Sequence, residues 1–226
     1  MHNEVTVLLP CLNEKRTIRT CIDKALKFFE DYDVDGEVLV ADNGSSDGSV
    51  EIVNESPVRL VNVSKRGYGA AVRAGIECAC GKYIIMCDAD DSYDMDNMMP
   101  FLEKLRDGND LVIGNRYWGG FEEGATSFSH YWGVKGLTWI ANIVHGTRLG
   151  DYHCGLRGFN REKFLELGLQ SSGMEFASEM VIMAHKGELL ICEIPTRLYR
   201  DGRDGESHLN AVRDGMRHLK LIFSLM

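Results

Sequence analysis

Asp88 and Asp90 stand one residue apart in Cys87-Asp88-Ala89-Asp90-Asp91, directly after an apolar run. Alternate side chains of an extended chain share a face, so the two carboxylates project together. Two hard oxygen ligands on one side suit Mg2+ or Mn2+, which keep waters and bind substrate phosphates. Such an ion neutralises charge on a diphosphate leaving group. The same stretch also reads as an acidic turn capping the next helix, for which Asp91, Asp94 and Asp96 are well placed. Asp42 ends another apolar run; its carboxylate can accept from a nucleobase or ribose, or cap the helix that follows. Lys65-Arg66-Gly67-Tyr68-Gly69 opens a helix, where glycine lets a ligand approach and the N-terminal amides favour phosphate.

These residues need a scaffold that gathers them. Short apolar runs at 5–9, 37–41, 58–63, 83–87 and 111–113 read as buried strands. Between them lie helical patterns: one starting at Asn13 or Thr17, then 47–54, 68–79 and 95–106. Strand and helix alternate through the first half of the chain, which predicts βαβ units, right-handed crossovers and an α/β fold with a mainly parallel sheet. In such sheets ligands bind beyond the carboxyl ends of the strands, where Asn13-Glu14, Asp42, Arg66-Gly67 and Asp88-Ala89-Asp90 all fall. Beyond Gly114 the pattern changes. Gly119, Gly120 and Gly124 predict a mobile loop, and 127–147 an aromatic helix whose Trp132 and Trp139 suit a membrane surface or the core, with the core preferred. A strand at 156–159, a helix at 175–185, a strand at 189–194 stopped by Pro195, and a last helix from about 208 complete the reading.

Composition narrows the function classes. The 44% hydrophobic and 26% charged shares are those of an ordinary globular chain, which excludes a disordered tail or a collagen-like fibre. With 34 acidic against 25 basic residues the net charge is -9, the wrong sign for a non-specific nucleic-acid binder. No run reaches the ~18 apolar residues that span a bilayer. The start, Met1-His2-Asn3-Glu4, has neither the basic nor the apolar region of a secretory leader, so a cytoplasmic setting is expected. The seven cysteines are scattered, and all are expected to be reduced apolar fillers.

Taken in order, four motifs resemble family 2 glycosyltransferases of the GT-A fold: Pro10-Cys11-Leu12-Asn13-Glu14, Asp42-Asn43-Gly44-Ser45-Ser46-Asp47, Gly67-Tyr68-Gly69-Ala70-Ala71 and Asp88-Ala89-Asp90. Gly114-Asn115-Arg116, the run from Asp151-Tyr152-His153-Cys154-Gly155-Leu156-Arg157 to Phe159, Met174-Glu175-Phe176 and Gly205-Glu206-Ser207-His208-Leu209 are similar to the dolichol-phosphate mannose and glucose synthase branch. The resemblance covers nearly the whole chain and implies one three-layer, Rossmann-like domain. Its first half, to about 115, would bind the nucleotide sugar, 116–206 the acceptor, and 207–226 would form an amphipathic helix.

The activity it implies is transfer of a hexose, with inversion, from UDP-glucose or GDP-mannose to a polyprenyl phosphate, at the cytosolic face of a membrane. Pro10, Leu12, Asn13, Glu14, Asp42, Asn43, Gly67 and Gly69 would hold the nucleotide, with Ala89, Arg116, Arg200 and Arg203 completing that site. Asp88 and Asp90 would meet the metal and the diphosphate. Arg116, Lys135, His130 and Ser207 would meet the acceptor phosphate. His130 and Lys135 stand where relatives place an arginine, and His208 where they carry a lysine.

Charge shapes the expected chemistry. A phosphate acceptor is already an anion at pH 7 and needs no strong base; cations must bring it beside the donor diphosphate. A hydroxyl acceptor, the alternative reading, needs a carboxylate base, for which Asp151 and Glu175 are the spare candidates; Asp151 is taken as a catalytic helper. In the last helix Leu209, Val212, Met216, Leu219, Ile222, Phe223 and Met226 recur at helical spacing beside Arg213, Arg217 and Lys220. That pattern fits a basic amphipathic helix lying in a membrane interface, and equally a helix packed on the sheet.

Overall fold

The first apolar run forms β1 (Val5–Cys11), buried at every position. It is followed by α1 (Ile18–Tyr32), β2 (Gly36–Asp42), α2 (Ser49–Asn54), β3 (Arg59–Asn62), α3 (Tyr68–Cys78) and β4 (Tyr83–Met86). Then come α4 (Met99–Arg106), β5 (Leu111–Asn115), α5 (Arg116–Gly119), α6 (Phe128–His145), β6 (Arg157–Asn160) and α7 (Arg161–Glu166). The chain closes with α8 (Phe176–Lys186), β7 (Ile191–Pro195) and α9 (Ala211–Ser224). This computed structural model describes residues 3–203 and 211–226.

All strands join one sheet in the order β3-β2-β1-β4-β6-β5-β7. Every pairing is parallel except those of β6, which runs antiparallel to both β4 and β5. The mainly parallel α/β sheet read from the sequence is therefore the fold observed. Strand order reverses between β1 and β4: α1 and α2 cross toward β3, whereas α3 crosses back. Right-handed crossovers then place α3 on the opposite face from α1 and α2, giving three layers. β4 is buried along its length and the edge strands β3 and β7 are not, so the core sits at the centre of the sheet.

Several elements depart from the sequence reading for identifiable reasons. A helix over 95–106 is observed as a 3-10 turn (Met95–Asn97) followed by α4, with Pro100 in the first turn of α4. Pro100 has no N–H to give a helix arriving from residue 95, so the α-helix starts anew. β7 stops at Pro195, which is itself the last residue of the strand, in register with Asn115; an edge strand tolerates proline. The segment expected to be a mobile loop instead begins as α5, where Gly119 packs on the Thr196 backbone and Phe121 bridges Leu198.

The largest correction concerns α6. Trp132 and Trp139 are 53% and 65% exposed, not core residues. The buried face of α6 carries Thr138 and Ala141, small enough for close approach, while the large rings fall on the other side. α9 packs against α6 and α8 through Asp214, His218 and Ile222, so most of its apolar spacing faces outward. The cysteines form no disulfide, and Cys78 and Cys192, though half-buried, pack against the core; Cys80 is exposed and is not a core filler.

Candidate active site

The ends of β1, β2 and β4 meet at the sheet's reversal point, the place a doubly wound sheet offers a ligand. A cavity of about 320 Å³ opens there, lined by Pro10 near the end of β1, Leu12 and Glu14 after it, Asn43 after β2, and Asp88, Ala89 and Asp90 after β4. Gly67 and Tyr68, at the start of α3, complete this wall. Gly67 has φ +124 and lies so close to the Ser172 carbonyl that a side chain would collide with it. Only glycine gives that backbone both its torsion and its contact. Asn43 fixes the same turn: its amide donates to the Lys65 carbonyl at 2.8 Å and its Oδ1 accepts from Gly67 N at 2.6 Å.

The carboxylate pair has defined neighbours. Tyr68 donates its hydroxyl to Asp88 Oδ1 at 3.0 Å, and Ser92 donates its hydroxyl to Asp90 Oδ1 at 2.6 Å. Desolvation in the cavity floor pushes the Asp88 carboxyl up, to about 6, and the Asp90 carboxylate adds to the rise. Arg203 leans in from the strap after β7. Its Nε donates to Glu14 Oε2 at 2.9 Å and its Nη1 lies 3.4 Å from Asp90 Oδ2. Burial opposes the Arg203 charge, but Glu14 and Asp90 outweigh it and hold the guanidinium firmly protonated.

Asp88 and Asp90 are a pair of hard oxygen donors whose mutual repulsion a cation would relieve. Among the described residues no third His, Cys, Asp or Glu joins them in a metal-sized cluster. The pair fits Mg2+ or Mn2+, which accept a short protein ligand set and fill the rest with phosphate and water oxygens.

A second cavity, about 410 Å³ and mostly apolar, lies between α6, α8 and α9 and shares Asp88, Met174 and Asp214 with the first. Arg116, His130, His153 and His218 are its polar lining besides the shared acids, Tyr93 and Ser129. Arg116 is buried at the end of β5, its Nε 2.6 Å from Asp151 Oδ2 and its Nη2 2.9 Å from Asp151 Oδ1. Asp151 also accepts from His153 N at 3.0 Å. Its carboxylate is therefore engaged as the counter-ion of Arg116, a different place from that of a free base. Gly155 backs the acidic pair, for a side chain there would collide with Asp88 Oδ2.

Other residues named from the sequence stand apart from the two cavities. Asp42 turns its carboxylate onto the backbone of its own loop, accepting from Gly44 N at 2.8 Å and Ser45 N at 3.1 Å. Asn13 accepts from Ser46 N at 2.8 Å with φ 57, bracing the loop that carries Leu12 and Glu14. Gly69 allows α3 to press on Phe176. Arg200 is exposed and held by Glu122 and the Glu123 carbonyl. Lys135 lies over the rings of Tyr117, Tyr131 and Trp132. Ser207, with its motif at 205–209, lies outside the described residues. The sequence reading passed over Tyr68, Met174, His153 and His218 as site residues; the signal for His218 was a polar residue on the Asp214-His218-Ile222 line, at the spacing of a buried helix face.

Residues 6–168 match the model of Glycosyl transferase family 2. The low-salt glycan biosynthesis hexosyltransferase Agl6 of Haloferax volcanii is 35% identical over 220 residues, covering 96% of this chain and 52% of that protein. The chain thus spans about half the length of Agl6. Glycosyltransferase AglJ of the same organism is 31% identical over 93% of this chain and 68% of its own length. The dolichyl-phosphate hexose transferase of that organism is 26% identical over 94% of this chain and 90% of its own. Among solved structures, glucosyl-3-phosphoglycerate synthase of Mycobacterium tuberculosis with UDP superposes with a TM-score of 0.75 at 20% identity, over 99% of this chain and 80% of that one. Its complex with Mn2+, UDP and glucosyl-3-phosphoglycerate gives 0.71 at 19% identity, over 99% and 80%. At such identity the agreement is one of fold, the GT-A fold. Matched over most of its length by the family model and by hexosyltransferase relatives, this chain belongs to glycosyl transferase family 2.

Proposed function

We propose that the protein transfers a hexose, glucose or mannose, from UDP-glucose or GDP-mannose to a polyprenyl phosphate, with inversion and with Mg2+ or Mn2+ held by Asp88 and Asp90. The observation that carries this reading is the pair of cavities that share Asp88, one lined by strand ends and the other apolar with Arg116 in its wall. The relatives support it, since one is named a dolichyl-phosphate hexose transferase.

The divalent ion supplies neutralising charge for the departing diphosphate. The chain's own residues do the positioning. Pro10, Leu12, Glu14 and Asn43 face the nucleotide, Tyr68 and Ser92 hold the two carboxylates in place, and Arg203 closes the cavity from above. Arg116, oriented by Asp151, draws the acceptor phosphate toward Asp88 against the repulsion of the donor. A hydroxyl acceptor would need a base, yet Asp151 is bound to Arg116 and Glu175 lies 3.3 Å from Arg217 Nε. A phosphate acceptor needs none.

Docking at a lipid surface belongs to the same reading. Phe128, Trp132, Trp139 and Ile143 form one exposed stripe on α6, and Val212, Met216 and Phe223 form one on α9. In a chain of net charge -9, α6 has no acidic residue and α9 only the buried Asp214, while Lys135, Arg213, Arg217 and Lys220 stand beside the stripes. Apolar rings with interspersed cations suit an anionic bilayer interface. No helix among the described residues is long and apolar enough to cross a membrane. The test is transfer of labelled sugar from each nucleotide donor, with Mn2+ and a prenyl phosphate, into an acid-labile, solvent-extractable lipid. Absence of that product with every donor would overturn the reading.

A further inference from the structure

The second cavity contains a hydrogen-bonded chain that no part of the proposed reaction has used. His153 Nε2 lies 3.1 Å from Ser178 Oγ, and Ser178 Oγ lies 2.8 Å from His218 Nδ1. The two rings meet edge to face at 4.7 Å between centroids. Both imidazoles line the cavity that holds Arg116 and Asp88.

One hydroxyl between two imidazoles can run its hydrogen bonds in either direction, because Ser178 donates once and accepts from the other side. The far end of the chain decides which. His153 Nδ1 is sealed from solvent and has no hydrogen-bond partner. A proton there would be a buried donor with nothing to receive it, which is the rarer and costlier defect; a bare lone pair is tolerated better. The proton of His153 therefore sits on Nε2 and is donated to Ser178. The Ser178 hydroxyl is then donated to His218 Nδ1, and His218 carries its own proton on Nε2. That nitrogen has no partner among the described residues and, unlike His153 Nδ1, is not sealed off.

We propose that His218 Nε2–H is a hydrogen-bond donor to the anionic oxygen of the acceptor phosphate in the second cavity, with Ser178 and His153 as positioning residues that lock its tautomer. The proposal rests on the acceptor reading above. It adds a neutral donor carried by α9, the helix whose outer face bears the apolar stripe, so the acceptor phosphate is held from two sides: by Arg116 from the sheet and by His218 from the surface helix. Burial keeps His218 uncharged at neutral pH, lowering its pKa to about 4 against the opposing pull of Glu175 and Asp214. A fixed tautomer, not a charge, is then what supplies the N–H.

Two isosteres separate this role from a merely structural one. In His218→Gln the amide nitrogen falls near Nε2 and restores the cavity donor; in His218→Asn the amide oxygen takes the place of Nδ1, still accepting from Ser178 while the cavity donor is lost. Steady-state transfer to farnesyl phosphate is measured with the donor that the wild type uses. The expected result is an acceptor KM raised about tenfold in His218→Asn, within about threefold of wild type in His218→Gln, and a donor KM unchanged in both, as for one lost hydrogen bond to an anion. Ser178→Ala, a small change, is expected to raise the acceptor KM without altering the donor KM. Long-range 1H–15N spectra of the wild-type protein are expected to show His218 protonated on Nε2. Equal acceptor KM values for Asn and Gln, an unaffected Asn variant, or a His218 protonated on Nδ1 would overturn the proposal. A wild type that makes no lipid product with any donor would instead overturn the acceptor reading and take this contact with it.

Discussion

Arg116 and Asp151 form a two-point ion pair, 2.6 and 2.9 Å long, in which Asp151 is wholly shut off from solvent. Removing one member of such a pair strands the other's charge. Asp151→Asn is expected to cost about 3–5 kcal/mol of stability and to raise the acceptor KM, while the pH–rate profile keeps its shape. Thermal melts and a pH series check both; loss of the acidic limb of that profile would instead assign Asp151 the removal of a proton.

The acidic pair at the end of β4 carries the next prediction. UDP with Mn2+ at a hundred times its dissociation constant should stabilise the wild-type fold by roughly 2.7 kcal/mol. Asp88→Asn and Asp90→Asn should abolish the Mn2+-dependent part of that gain and lower kcat by about a thousandfold, as expected when charge neutralisation worth several kcal/mol is lost. Thermal shifts with and without chelator, alongside single-turnover assays, read this directly.

Arg203 bridges Glu14 and Asp90 from the strap after β7. Arg203→Ala should raise the donor KM about tenfold, and Arg203→Lys should recover only part of the loss, because lysine lacks the planar fork that spans two partners. Initial-rate kinetics at saturating acceptor distinguish the two variants.

Buried imidazoles make stability depend on pH. Burial lowers His218 to about 4 and drives His153 well below its ordinary value, so both contribute stability above pH 6.5 that is lost as the pH falls toward 4. For His218 that loss is about 3 kcal/mol. Urea denaturation midpoints across this range should fall more steeply for wild type than for His218→Gln; parallel curves would show that His218 does not drive the effect.

The exposed stripes of α6 and α9 predict a separable defect. Trp139→Ser with Phe223→Ser should release the protein from vesicles containing anionic lipid, measured by sedimentation, yet leave transfer to detergent-dispersed farnesyl phosphate unchanged. Retained vesicle binding would remove these faces from the docking surface.

Sequence patterns reveal the first cavity better than the second, for a physical reason. Parallel strands deliver Pro10, Asn43 and Asp88 to the same edge, so period and punctuation alone place them in one cavity. Asp42 and Asn13 look equivalent in sequence, but Asp42 spends its carboxylate on its own loop and Asn13 its amide oxygen on the neighbouring loop after β2. The second cavity is built by packing between distant helices. Trp139 reads as core because large rings are usually buried, yet α6 buries Thr138 and Ala141 instead. His153 and His218 are 65 residues apart and come together only in the fold, edge to face and through Ser178.

The reversed strand has a further consequence. Because β6 runs against its neighbours, Met86 pairs with Arg157, and the loop entering β6 arrives at the rim where β4 exits. One short stretch, from Asp151 to Gly155, thereby supplies the Arg116 counter-ion, an imidazole of the inner relay and the side-chain-free backing of Asp88. Substitutions confined to that stretch can reshape the second cavity while the loops lining the first, anchored to other strands, stay as they are.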